Sequence, residues 1–253
     1  MEHRLGKALR GVVLAAGLAG LSGCTADAPS KAAQEASGSS LRIEVRFSET
    51  LSEAPQDGRL LLMLSTKAEG EPRFHVNNNA DTQLIFGQNV EGWGPETAVA
   101  FDGDEASFPL PSLAAVPPGT YRVQALLNRY KDFTLSNGKT VSLPPDQGEG
   151  QQWNRKPGNF LSAPFEVTLG PGAEQISVVL DQKIPPLTPP EDTAFVKHVR
   201  LRSERLSEFW GEDVYLGANV LLPKDFAKHP EARFPLMVFH GHFPRTIGDF
   251  TRM

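Results

Sequence analysis

The strongest constraint on this chain is a hydrophobic period of two that recurs between closely spaced turn signals. Leu41, Ile43, Val45 and Phe47 alternate with Arg42, Glu44 and Arg46, the pattern of a strand with one face buried and the other in water. Tyr121, Val123, Ala125 and Leu127 alternate with Arg122, Gln124 and Asn128, directly after the turn Pro117-Pro118-Gly119-Thr120. Phe165, Val167 and Leu169 repeat the pattern, and so do Ile176, Val178 and Leu180. Leu60 to Leu64 is a short apolar run that reads as a buried strand. Asn137-Gly138 lies between two strand-like stretches, which predicts a hairpin whose two turn residues take positive φ. With 23 Gly and 21 Pro, turns and short strands are favoured over long helices.

Residues 41–181 therefore carry six to eight short strands, which predicts a mainly β region with the architecture of an immunoglobulin-like sandwich. No internal repeat is visible. Apolar residues make up 40% and charged residues 22% of the chain, a globular composition rather than a disordered one. The net charge is −5 with no long basic run, which argues against nucleic acid as the main partner. A single cysteine excludes an internal disulfide and a Cys-rich zinc site. No stretch reaches the roughly 18 apolar residues of a spanning helix.

The N-terminus accounts for that cysteine. Arg4, Lys7 and Arg10 precede the apolar stretch from Val12 to Leu21, and Leu21-Ser22-Gly23-Cys24 follows. The order of a positive region, a short apolar core and small residues is that of a secretory signal. It resembles the bacterial lipoprotein signal, with an aliphatic residue, two small residues and then cysteine. The resemblance implies cleavage of residues 1–23 and acylation of Cys24, which would anchor the chain through lipid. The implied location is the cell envelope, and Thr25 in place of Asp leans towards the outer membrane. The alternative is a plain signal peptide with an incidental cysteine. Residues 24–40 are small and polar and read as a flexible tether.

Candidate chemistry within the β region is sparse. Asp102-Gly103-Asp104-Glu105 lacks the spacing of a calcium loop and reads as a solvated turn. Asn77-Asn78-Asn79 reads as a loop. Trp93 and Trp153 could stack on a sugar or peptide, but lids over the sandwich are the simpler reading. No cofactor and no metal are expected.

Residues 182–194 hold the pairs Pro185-Pro186 and Pro189-Pro190 and read as a stiff linker. Beyond it, residues 195–209 read as one strand, and Val214 to Leu222 as a second that Pro223 terminates. Phe234 to Phe239 is continuously apolar, which predicts a strand buried on both faces. His240-Gly241-His242-Phe243-Pro244 follows directly.

The order Leu222-Pro223, Phe234-Pro235 and His240-Gly241 is similar to the opening of an α/β-hydrolase of the group that includes enterochelin esterases and S-formylglutathione hydrolases. The resemblance covers residues 195–253. It implies an ester hydrolase in which the loop after His240-Gly241 lends a backbone N–H to an oxyanion hole. The donor would come from Gly241, His242 or Phe243. Gly-x-Ser-x-Gly occurs nowhere in the 253 residues, so the resemblance assigns no nucleophile here. The chain is expected to be the front part of such an enzyme, inactive by itself, with an ester as the parent's substrate. His240-x-His242 could instead ligate metal, but the residues behind it do not continue a metallohydrolase pattern. The second function class is a non-enzymatic binding lipoprotein that uses its sandwich.

Overall fold

The structure is a computed structural model that describes residues 41–135, 137–146, 149–172, 174–188 and 190–239. Its strands are β1 (Arg42–Phe47), β2 (Gln56–Ser65), β3 (Leu84–Trp93), β4 (Val99–Phe101), β5 (Ala106–Phe108), β6 (Gly119–Arg129) and β7 (Lys131–Thr134). They continue as β8 (Thr140–Leu143), β9 (Phe160–Leu161), β10 (Phe165–Leu169), β11 (Gln175–Leu180), β12 (Gln182–Lys183), β13 (Val196–Arg202) and β14 (Tyr215–Leu221). One helix, α1 (Glu204–Trp210), separates the last two strands.

The chain is mainly β. A three-stranded sheet runs β11-β1-β4, and a seven-stranded sheet runs β12-β9-β6-β2-β3-β5 with β10 also on β6. β1 pairs with β11 in parallel, Ile43 opposite Ile176 and Val45 opposite Val178. The two sheets enclose one core. β1 contributes Ile43, Val45 and Phe47; β2 contributes Leu60, Leu62 and Leu64; β6 contributes Val123, Ala125 and Leu127; β11 contributes Val178 and Leu180. Alternation sends Leu61, Met63 and Leu126 to the outer face of the large sheet, where they meet Leu161 and Ile184 in a second cluster. All five residues from Leu60 to Leu64 are buried because β2 lies between β3 and β6 and is covered on both faces.

The predicted strands at 41–47, 60–64, 121–127, 165–169 and 176–180 all form. The 133–142 hairpin forms too, with Thr134 opposite Thr140. Its loop is one residue longer than a two-residue turn. The Gly138 N–H donates to the Leu135 carbonyl, the Leu135 N–H donates to Lys139, and Gly138 takes φ 81°. That closure suits a three-residue hairpin loop ending on a left-handed glycine.

Two expectations are corrected. Residues 204–210 are helix, not a continuation of the strand. Ser203 caps it by accepting from the Leu206 N–H, Glu204 sits in the first turn, and Gly211 ends it at φ 69°. These caps satisfy terminal backbone groups that a strand would have had to pair elsewhere. Phe234 to Phe239 is not a buried strand. It has no regular structure, and Leu236 to Phe239 are 77–89% exposed. A strand needs neighbours for its N–H and C=O groups, and β13 and β14 pair only with each other among the described residues.

The start of the Pro-rich stretch belongs to the sheet. Gln182 and Lys183 pair with Leu161 and Phe160, and the Ile184 N–H donates to the Asn159 carbonyl at 2.9 Å. Farther on, Lys131 ion-pairs with Glu212, and Phe133 meets Trp210 edge-on at 5.8 Å. The β7–β8 hairpin and α1 are therefore in contact.

Candidate functional site

The residues predicted to carry function, Cys24, Gly241, His242 and Phe243, lie outside the described residues, as does His240. What is described is the approach to them. β13 and β14 form an antiparallel hairpin of seven paired positions, from Val196 opposite Leu221 to Arg202 opposite Tyr215. α1 sits at its turn, where the Ser207 Oγ accepts from the Val214 N–H at 2.9 Å and Arg202 pairs with Asp213 at 2.7 Å. Leu201, Phe209, Leu216 and the segment Leu236–Phe239 are exposed.

One serine meets a histidine. Ser65 Oγ lies 2.8 Å from His75 Nδ1, an arrangement that can activate a nucleophile. Here Ser65 is buried at the end of β2, and its Oγ accepts from the Lys67 N–H at 3.1 Å. The Glu69 backbone favours the protonated imidazole, and no carboxylate contributes to its shift. The pair closes the loop 65–75 and presents no hydroxyl to a substrate. Burial holds the His75 pKa below the ordinary histidine value, and the charges of Lys67 and Arg122 push it the same way.

The sign of the resulting pH dependence follows from linkage. Unfolded His75 takes up a proton near pH 6.5 and folded His75 only at lower pH, so the unfolded state binds more protons as pH falls from 7. Stability is expected to drop on acidification through that window, before the carboxylates titrate. Urea midpoints at pH 7 and pH 5.5 measure it, and the difference should shrink in His75→Gln. An equal drop in the variant would mean that His75 is not the group responsible.

A shallow cleft of about 270 Å³ opens on the outer face of the large sheet, lined by Glu71, Arg73, Leu161, Pro164, Lys183 and Ile184 among others. Arg73 clamps Glu71 through two bonds, at 2.8 and 3.0 Å, and donates to the Asn154 carbonyl. Gln124 joins them, its Nε2 donating to Glu71 at 2.7 Å. The Arg73 guanidinium is the main cause that holds the Glu71 carboxyl below its ordinary value, against the effect of burial.

A second polar cluster lies where β6 ends. Lys156 is 3% exposed, Asn159 0% and Glu149 6%. The Lys156 Nζ donates to the Arg129 carbonyl and to the Asn159 Oδ1, the latter at 3.3 Å. The Asn159 Oδ1 also accepts from the Arg129 N–H at 3.0 Å. The Asn159 Nδ2 donates to the Asn128 Oδ1 at 3.2 Å and to the Trp153 carbonyl at 2.8 Å. Burial holds the Lys156 amine down at about 8, the Glu149 carboxylate pulls it up, and Arg129 lowers it again.

The remaining candidates have structural places. Trp93 is buried, edge-on to Phe47 at 5.0 Å, with its indole N–H donating to the Thr97 carbonyl. Trp153 packs against the outer cluster. Asp102 pairs with Arg42 at 2.9 Å, and Glu105 accepts from the Gly103 N–H. The Asn77 Oδ1 accepts from the Asn79 N–H, a local loop bond. No group of three or more His, Cys, Asp or Glu able to hold a metal occurs among the described residues. The Lys156 cluster was missed by sequence reading. Its only signal is Lys156-Pro157-Gly158-Asn159, a turn sequence that says nothing of burial. No protein-family model, curated protein or solved structure matches this chain.

Proposed function

We propose that the chain is a lipid-anchored envelope protein related to serine esterases, with an immunoglobulin-like sandwich placed ahead of the opening strands of an α/β-hydrolase sheet. The observation that carries this reading is the antiparallel β13–β14 hairpin followed by an uncovered apolar segment, Leu236–Phe239, that runs into His240-Gly241. An apolar segment of this kind is suited to insertion into a larger sheet covered by helices. In the parent reaction a serine hydroxyl attacks the ester carbonyl, and backbone N–H groups hold the developing oxyanion. Residues 241–243 supply one of those amides. The serine described beside a histidine, Ser65, is buried and takes no part.

Purified residues 24–253 are expected to leave a p-nitrophenyl ester unhydrolysed. Turnover that disappears on substitution of Gly241 would overturn the reading. Sequencing the transcript past the Met253 codon supplies the positive arm. A Gly-x-Ser-x-Gly encoded roughly a hundred residues on supports the proposal, and an immediate stop codon refutes it.

The cleft beside Arg73 favours a second reading, a binding lipoprotein. It brings Glu71, Arg73 and Lys183 to one apolar-floored surface. Saturable binding of the chain to a glycan or peptide array, lost in Lys183→Ala, would select that reading instead.

A further inference from the structure

Residues 156–159 form a turn closed by the Asn159 N–H donating to the Lys156 carbonyl at 3.3 Å. Pro157 occupies its second position, and Gly158, at φ 79°, its third. This is the residue order of a type II turn, which brings the first and fourth residues together. It is buried against the end of β6, so an amine and a carboxamide are held out of water in one place. The Lys156 Nζ lies 3.3 Å from the Asn159 Oδ1, and that oxygen is about 1.2 Å from its carbon. The amine is therefore within about 4.5 Å of the carboxamide carbon, counting one C=O bond length beyond the oxygen.

We propose that Lys156 and Asn159 are joined by an intramolecular amide bond between Nζ and the side-chain carbonyl carbon, formed with release of ammonia. The Nζ lone pair attacks that carbon. Negative charge gathers on Oδ1, to which the Arg129 N–H already donates at 3.0 Å. This is the geometry of a one-donor oxyanion site. The bond from carbon to Nδ2 then breaks. The proton lost by Nζ passes to Nδ2, which leaves as ammonia. One amine and one primary amide become one secondary amide and one ammonia, with no oxidant or co-reactant.

Three features favour the step. A Lys156 pKa held down to about 8 leaves a useful fraction of neutral, nucleophilic amine. The turn replaces a bimolecular encounter with a fixed one. The product also removes a buried ammonium, whose desolvation is costly, and keeps an N–H to donate to the Arg129 carbonyl.

The test is peptide mapping by mass spectrometry of the purified full chain, combined with amine labelling after denaturation. The segment containing residues 156–159 should be lighter by one ammonia, and Lys156 should resist the label. Asn137-Gly138 can also lose ammonia by cyclising on its own backbone, so fragment ions must place the loss. Lys156→Arg and Asn159→Ala should each show the unshifted segment mass expected from their sequences. A wild-type segment of unmodified mass with a labelled Lys156 overturns the proposal. So does an ammonia loss in this segment that persists in Lys156→Arg. The wild-type measurement decides even where a variant does not fold.

Discussion

Phe47→Ala is expected to cost about 3–5 kcal/mol of unfolding free energy, the range for truncating a buried aromatic residue. Phe47 is fully buried at the end of β1, the middle strand of the three-stranded sheet. Its ring meets Trp93 edge-on at 5.0 Å and Phe160 at 5.6 Å. Those partners come from the opposite sheet, so the ring holds the two layers together. The backbone of each layer is fixed by ladder bonds and cannot collapse into the space left behind, which is why the upper part of the range applies. Urea unfolding followed by tryptophan fluorescence measures the loss, and Trp93 reports directly on the site. A change below about 1 kcal/mol, the size of an ordinary mutation, would mean that the two sheets do not meet there.

Gly58→Ala is the second large effect, and it arises from backbone rather than from a cavity. A Cβ at Gly58 would lie 2.3 Å from the Asn128 carbonyl oxygen and 3.1 Å from its carbon. Both belong to paired strands, with Gly58 opposite Arg129 in the β2–β6 ladder and a register shift between Gln56 and Gly58 on the β3 side. Neither strand can retreat without breaking pairing that includes the Tyr130 N–H bond to the Asp57 carbonyl. The expected cost is about 2–4 kcal/mol, as for other overpacked sites. Gly217 in β14 is the control. Nothing lies within 4 Å of its Cβ position, so Gly217→Ala should stay within about 0.5 kcal/mol of wild type. Equal stability of the two variants would disprove the close approach of β2 and β6.

The strands that could be read from the chain share one property. Each of β1, β10 and β11 alternates apolar and polar residues because one face meets the core and the other is more open to water, and β6 alternates from Tyr121 to Ala125 although both its faces are covered farther along. β3 escaped notice because Gly87, Gln88 and Asn89 interrupt its apolar residues. Arg59 reaches across to the Gly87 carbonyl and the Asn89 side chain, and the Gln88 Nε2 donates to the Ala100 carbonyl at 2.6 Å, so all three positions are bonded. α1 was legible in principle, since Ser203 and Gly211 bracket it as cap residues. The alternation of Val199, Leu201 and Ser203 hid the change of period.

The candidate site divides in the same way. Lipidation at Cys24 and the amide donors near Gly241 are readings of local motif, and the motif carries all the information they use. The Lys156 cluster is the opposite case. Lys156-Pro157-Gly158-Asn159 announces a turn, but only the packing of that turn against β6 buries the amine and sets it beside Arg129 and Asn159.

The chain alone determined which residues face inward, where turns fall and that the body is β, because these depend on neighbours one to four positions away. Tertiary structure alone decided that β1 lies parallel to β11, that β2 is covered on both faces, and that Phe234–Phe239 forms no strand. Strand pairing joins groups far apart in the chain, and a strand's own sequence does not name the strand that will satisfy its hydrogen bonds.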